Sequence, residues 1–102
     1  MIMDLVVEAV EIKLHFENFT GVLQSDYEFG YALGRMMKIL GLPEEDEFSL
    51  DTMQETMKEK MSSYEPKDSI EKNLIKLIRE YRIQHQSGEE ILLLYHRGYN
   101  KE

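Results

Sequence analysis

Several residue types that would point to a specific chemistry are missing from this sequence. It contains no cysteine, which excludes a disulfide framework, a thiolate metal site and a thiol nucleophile, and which is typical of a reducing compartment. The longest uninterrupted apolar run, Ile91 to Tyr95, is far too short to span a membrane, and the first residues lack the basic segment that opens a secretory signal. We therefore expect a cytoplasmic protein that does not associate with membranes.

Catalytic and cofactor motifs are missing as well. The sequence has neither a Gly-x-Ser-x-Gly nucleophile motif nor a glycine-rich phosphate-binding loop. None of its three histidines belongs to the Glu-x-x-His pair that di-iron helical bundles use. Glu11 and His15 lie four residues apart and could share an ion, but a zinc site needs three or four ligands. The sequence thus predicts a protein that is not an enzyme and that holds no cofactor or metal.

Proline and glycine are scarce, which leaves little room for a flexible linker. Two prolines and six glycines occur among 102 residues, while 42% of the residues are hydrophobic and 31% are charged. That balance is typical of a globular protein, and a chain of this length builds one modest core. We expect a single domain over residues 1–102. Helical spacing of apolar residues dominates the chain, so the predicted fold class is all-α, a compact bundle of about five helices.

The first segment, residues 4–19, is apolar on two sides. On a helical wheel one face carries Ile2, Leu5, Ala9, Ile12, Phe16 and Phe19, and the opposite face carries Val6, Val7, Val10 and Leu14. A helix that is apolar on both sides lies at the centre of its domain or is shared with a second chain. We expect the second of these faces to form either the core or the interface of a homodimer. The alternative is a strand, because residues 10–16 alternate between apolar and polar and could pair with residues 91–95 in an α+β fold.

The second helix has clear start and stop signals. Ser25 and Glu28 have the capping-box spacing, and Gly41-Leu42-Pro43 is typical of a helix end. Gly30 and Gly34 lie one turn apart inside this helix, where each costs about 1 kcal/mol relative to alanine. The close approach of another helix, for which the first is the candidate, would offset that cost.

Two further helices follow an acidic connector. Ser49 or Asp51 begins the third helix. Its apolar stripe consists of Leu50, Met53, Met57, Met61 and Tyr64. Methionine adapts its shape to irregular cores, so we expect this stripe to be core rather than a groove for a partner helix. Pro66 and the polar residues after it introduce the fourth helix.

A short last helix is predicted over Ile91 to Arg97. Ser87 and Glu90 have the capping-box spacing before it, and Gly98 would stop it. The few residues beyond Gly98 are then expected to fray.

The outer face of the fourth helix combines basic and apolar side chains. Lys72, Lys76 and Arg79 cluster opposite its core stripe, and Ile75 and Ile83 are predicted to point to the same outer side. Isolated exposed isoleucines are common, so a solvated basic face would explain the pattern. The alternative is that the two isoleucines, framed by bases, form the centre of an interface with a partner protein.

Acidic residues are concentrated in the middle of the chain. The net charge is −8, and residues 43–59 hold seven acidic residues and one basic residue. The acidic residues are Glu44, Glu45, Asp46, Glu47, Asp51, Glu55 and Glu59. Carboxylates favour the N-terminal end of a helix dipole, so a solvated entry to the third helix would explain this run. The phosphates of nucleic acid repel such a protein, which argues against direct nucleic-acid binding.

These observations leave three functional hypotheses. The first is a small non-catalytic protein that binds another protein as a regulator, adaptor or inhibitor. The alternative is a nucleic-acid mimic, of the kind that phages use as inhibitors, whose acidic segment blocks a DNA- or RNA-binding enzyme. The third is a cryptic enzyme or a small-ligand binder that uses a groove beside Gly30 and Gly34, flanked by Tyr27 and Tyr31.

Overall fold

The structure, a computed structural model, describes residues 2–47, 49–84 and 88–101, with side chains from residue 5 onward. Five helices follow one another there: α1 (Ile2–Glu17), α2 (Asp26–Ile39), α3 (Leu50–Met61), α4 (Ser69–Glu80) and α5 (Glu89–Tyr99). No strand occurs among these residues, which confirms the predicted all-α bundle. Residues 10–16 and 91–95 lie in α1 and α5, so the α+β alternative is wrong. Not one of these five helices combines the length and the apolar character needed to cross a membrane.

The second helix, α2, lies at the centre of the bundle and contacts each of the other four helices. Its fully buried apolar side chains are Phe29, Ala32, Leu33 and Met36. The other helices complete the core with Met53, Met57 and Met61 of α3, Leu74 and Ile78 of α4, and Leu94 and Tyr95 of α5. The prediction that the methionine stripe is core is therefore confirmed.

The helices α2 and α5 pack closely because glycines remove side chains from their contact. A Cβ atom on Gly30 would lie 2.9 Å from the carbonyl oxygen of Ile91, and one on Gly34 would overlap the carbonyl oxygen of Tyr95. Another helix thus approaches these glycines, as predicted. That helix is α5, however, whereas we expected the first helix. Since the α5 backbone fills the space beside Gly30 and Gly34, the hypothesis of a ligand groove there is wrong.

The last helix is longer than the sequence suggested. It begins at Glu89 and runs through Gly98 to Tyr99, so the prediction that Gly98 ends it is wrong. A Cβ atom on Gly98 would overlap the carbonyl oxygen of Tyr31, and glycine is needed for close packing rather than for termination. Gly88 precedes the helix as its N-cap. Ser87 lies outside the described residues, so the capping box there stays a prediction.

Side-chain caps fix the starts of the three middle helices. The hydroxyl of Ser25 accepts a hydrogen bond from the backbone N–H of Glu28 at 3.3 Å, as the capping-box spacing predicted. Ser49, rather than Asp51, caps α3, and Asp68 caps α4. Gly41 has a φ of +72° just past the end of α2, which confirms its predicted role in the turn.

Candidate protein-binding surface

An exposed apolar stripe runs along α1. Leu5 is 66% exposed, Ile12 is 49% exposed and Phe16 is 80% exposed, and Ala9 between them is exposed as well. The spacings of four, three and four residues place these side chains on one face of the helix. We call these four residues the α1 seam. A row of large apolar side chains in water is uncommon on a soluble protein and is typical of a binding surface.

The opposite face of α1 belongs to the core of the bundle. Val7, Val10 and Leu14 are buried, and Val6 is half-buried at the edge of this face. These four residues were the candidates for a dimer interface or for core, and Val7, Val10 and Leu14 are core. They pack inside their own chain, so the interface prediction is wrong for them. The side of α1 that remains available to a second chain is the α1 seam.

Two polar contacts hold α1 in this orientation. Lys13 donates hydrogen bonds to both carboxylate oxygens of Glu28 on α2, at 2.9 and 3.1 Å. Arg97 on α5 donates to Glu11, with 2.6 Å between Nε and Oε1. Lys13 and Glu11 lie on the two flanks of α1, between its buried and exposed faces. The two contacts therefore attach one flank to α2 and the other to α5. The contact also engages Glu11, which the sequence had paired with His15 as possible metal ligands.

The end of α1 separates Phe16 from Phe19. The helix ends at Glu17, and Asn18 and Phe19 adopt positive φ values of 50° and 61°. This turn redirects the chain, so Phe19 is buried although the helical wheel placed it on the face with Phe16. Phe16 is left as the exposed end of the α1 seam.

The outer face of α4 differs from the prediction in its apolar part. Lys72, Lys76 and Arg79 are exposed, as expected. Ile75 and Ile83 are half-buried and pack against the hydrophobic core. The prediction that these two isoleucines point outward is therefore wrong, and the exposed part of this face is basic without an apolar centre.

The start of the acidic segment is hydrogen-bonded to the C-terminal part of the chain, and the rest of its acidic side chains are exposed. Glu44 accepts a hydrogen bond from Nδ2 of Asn100 at 3.2 Å, and its Oε2 lies 2.5 Å from Nδ1 of His96. The backbone N–H of Glu45 donates to the hydroxyl of Tyr95. These contacts attach the connector to α5. The side chains that stay exposed beyond Glu44 are Glu45, Asp46, Glu47, Asp51, Glu55 and Glu59.

The most deeply buried carboxylate has a structural role. Asp26 is fully buried and accepts hydrogen bonds from the hydroxyl of Tyr81 at 2.5 Å and from the backbone N–H of Gln84 at 3.0 Å. Burial, together with this hydrogen bond, raises the pKa of Tyr81. The Asp26 carboxylate thereby joins the start of α2 to the segment after α4. Because it is fully buried, a substrate could not reach it. No group of three or more His, Asp or Glu side chains suited to a metal ion occurs in the described ranges.

A contact that no sequence pattern predicted joins α3 to the end of α4. The buried amide of Gln54 donates hydrogen bonds to the carbonyl oxygens of Ile78 and Tyr81, at 2.9 and 2.8 Å. It thereby satisfies carbonyl groups at the end of α4 that the helix itself leaves without donors.

The comparisons with known proteins identify a family but no function. No curated protein and no solved structure matches the chain. A family model matches it over residues 1–102. The chain therefore belongs to the family described as a domain of unknown function, DUF3837.

Proposed function

We propose that the protein is a small non-catalytic regulator or adaptor that acts by binding another polypeptide chain through the α1 seam. The observation that carries this proposal is the exposure of Leu5, Ile12 and Phe16 in one row, on a helix whose opposite face is already buried. Removing apolar surface from water contributes roughly 25 cal/mol per Å². Aromatic side chains often dominate such interfaces, so Phe16 is the expected anchor.

The way in which α1 is held supports this use of the surface. Hydrogen bonds from Lys13 to Glu28 and from Arg97 to Glu11 fix the helix on the bundle in the absence of a partner. A partner would therefore meet a preformed surface and would not have to order a flexible segment. The basic face of α4 lacks an exposed apolar centre, which makes it the weaker candidate for this role.

Affinity capture with matched variants tests the proposal. Ile12→Asp and Phe16→Asp place a charge in the α1 seam, whereas Val22→Asp changes an apolar side chain that is 68% exposed but lies outside it. We expect wild type and Val22→Asp to retain the same polypeptide in about 1 M salt, because salt does not weaken apolar contacts. Both seam variants should lose it. Equal capture by all four proteins would contradict the proposal.

The acidic surface supports a second candidate, a nucleic-acid mimic that blocks a DNA- or RNA-binding enzyme. Asp51, Glu55 and Glu59 are exposed at intervals of four residues on α3, so they form one line of negative charge. Binding of this kind weakens steeply with salt, because the contacts are between exposed charges. The triple variant Asp51→Asn, Glu55→Gln and Glu59→Gln should then lose the captured enzyme at low salt. Capture that resists both salt and this variant would contradict mimicry.

A further inference from the structure

We infer that the chain bound by the α1 seam is a second copy of this protein, packed antiparallel to the first. This inference rests on the proposed function, since it uses the same surface, and it adds the identity and the orientation of the partner.

The spacing of the seam is that of a coiled-coil contact. Leu5 and Ile12 take the d positions of a heptad, and Ala9 and Phe16 take the a positions. All four are exposed, so the pattern is presented to solvent along three turns of a helix that the bundle already stabilises. A strict a/d stripe is narrower than the apolar face by which a helix packs on its own domain, and it suits one partner helix.

The order of large and small side chains makes this stripe complementary to itself. When two copies lie antiparallel about a twofold axis between positions 10 and 11, Leu5 faces Phe16 of the second copy, and Ala9 faces its Ile12. Each layer then combines a larger with a smaller side chain, which gives even packing along the contact. A parallel pair would place Phe16 on Phe16 and Ala9 on Ala9, which leaves one layer crowded and the next underfilled.

The polar side chains beside the seam fit the same orientation. Glu8 and His15 lie on one edge, at g positions that face each other in an antiparallel pair, so a carboxylate meets an imidazole. A parallel pair would instead bring Glu8 towards Lys13 of the second copy. Lys13 already donates to both carboxylate oxygens of Glu28 in its own chain, so that pairing would add a second carboxylate to a lysine whose charge is already paired.

The small area of the contact predicts a weak dimer. A seam of four residues with its flanks buries on the order of 500 Å² from each copy, less than the roughly 800 Å² of a standard interface. Each copy also carries a net charge of −8, which opposes association. We expect a dissociation constant in the micromolar range, and a tighter dimer in higher salt because screening reduces the repulsion.

Sedimentation equilibrium tests the dimer. We expect wild type and Val22→Asp to pass from monomer to dimer as the concentration rises to about 100 µM, and Ile12→Asp and Phe16→Asp to bind themselves about a hundredfold more weakly. A wild-type protein that stays monomeric throughout, in low and in high salt, would overturn the inference. The proposed function would survive that result if the seam variants still lost a polypeptide captured by wild type, and it would fall too if they did not.

The absence of cysteine from the sequence allows a direct test of orientation. Leu5→Cys and Phe16→Cys proteins are mixed and oxidised under mild conditions. The antiparallel pair predicts the mixed disulfide between positions 5 and 16, because position 5 of one copy and position 16 of the other share a layer and lie within reach of each other. Disulfides that join 5 to 5 and 16 to 16, with little mixed product, would overturn the antiparallel arrangement.

Discussion

Lys13 on α1 and Glu28 on α2 form a two-pronged contact, with Nζ of Lys13 at 2.9 and 3.1 Å from the two carboxylate oxygens of Glu28. The same carboxylate accepts the backbone N–H of Gln24 at 3.1 Å. One side chain thus joins α1, the α1–α2 connection and α2. This contact fixes one flank of α1 on α2, beside the face whose Val10 and Leu14 are buried in the core.

Removing the Glu28 carboxylate should cost more stability than removing its cation. Glu28→Ala leaves both Lys13 and the N–H of Gln24 without this acceptor, for an expected loss of about 2 kcal/mol in the free energy of unfolding. Lys13→Met keeps most of the aliphatic stem and should cost about 1 kcal/mol. Lys58→Met is the control, because Lys58 lies 3.6 Å from an exposed Glu55 and should matter by less than about 0.5 kcal/mol. Urea unfolding measures all three, and equal losses would contradict this account of Glu28.

The same substitution at two nearby positions of α1 should lower the stability of the fold by very different amounts. Leu14 is 2% exposed, so Leu14→Asp buries an unpaired carboxylate and should cost more than about 3 kcal/mol. Phe16 is 80% exposed, and Phe16→Asp should change the free energy of unfolding of the monomer by less than about 0.5 kcal/mol. Thermal and urea unfolding at low protein concentration separate the two. A large loss from Phe16→Asp would place that ring in the core.

Gly34→Ala should destabilise the protein although alanine is the better helix former. Helix propensity alone predicts a gain of about 1 kcal/mol. The new methyl group would instead overlap the carbonyl oxygen of Tyr95 and lie 2.7 Å from the backbone nitrogen of Tyr99, so α5 would have to move away. We expect a net loss of about 3 kcal/mol, measured by urea unfolding.

Gly21→Ala is the control for this substitution. A methyl group there meets only the flexible end of the Glu17 side chain, and the change should stay within about 0.5 kcal/mol. A stabilised Gly34→Ala protein would show that α2 and α5 are not in close contact.

Stability should fall in alkaline solution because two tyrosines hold their protons more tightly when folded. The hydrogen bond to Glu71 raises the pKa of Tyr64 to about 12, and burial raises that of Tyr81. Unfolded tyrosines ionise near pH 10, so between about pH 10 and 12 the unfolded chain has lost protons that the folded chain keeps. The stabilising contribution is therefore complete below about pH 10 and is lost as the pH rises.

The pH profile of the double variant Tyr64→Phe and Tyr81→Phe checks this assignment. It should be less stable than wild type at neutral pH, because the carboxylates of Glu71 and Asp26 each lose a donor. Its stability should then fall less steeply above pH 10, as urea unfolding at a series of pH values would measure. An unchanged alkaline slope would rule out these two tyrosines as its source.

Helix caps and turns could be predicted from the sequence, but which helices pack against each other could not. Ser25, Ser49 and Gly41 act through their own backbone and the next few residues, so their roles could be read from spacing alone. The partner of Gly30 and Gly34 depends on which helix crosses α2, and no local pattern encodes that choice. The predicted end of α5 was wrong for the same reason, because Gly98 allows close packing against Tyr31 and does not end the helix.

The binding surface illustrates the limit of periodicity. Both faces of α1 show apolar residues at spacings of three and four, so the wheel identifies two apolar sides without assigning either to the core. The choice depends on the rest of the chain, because Val10 and Leu14 pack into the core that the other helices form. Ile12 and Phe16 then stay outside, and Lys13 and Glu11 meet Glu28 and Arg97 on the two flanks of the helix.

A dilution series of amide NMR spectra of the isotope-labelled protein reports directly which surface associates. If two copies pack through the α1 seam, signals from Leu5, Ala9, Ile12 and Phe16 shift with concentration, together with those of Glu8 and His15 beside them. Signals from the outer faces of α3 and α4 should stay constant. Concentration-dependent shifts at Lys72, Lys76 and Arg79 with a constant α1, or constant signals throughout up to about 1 mM, would contradict self-association through the α1 seam.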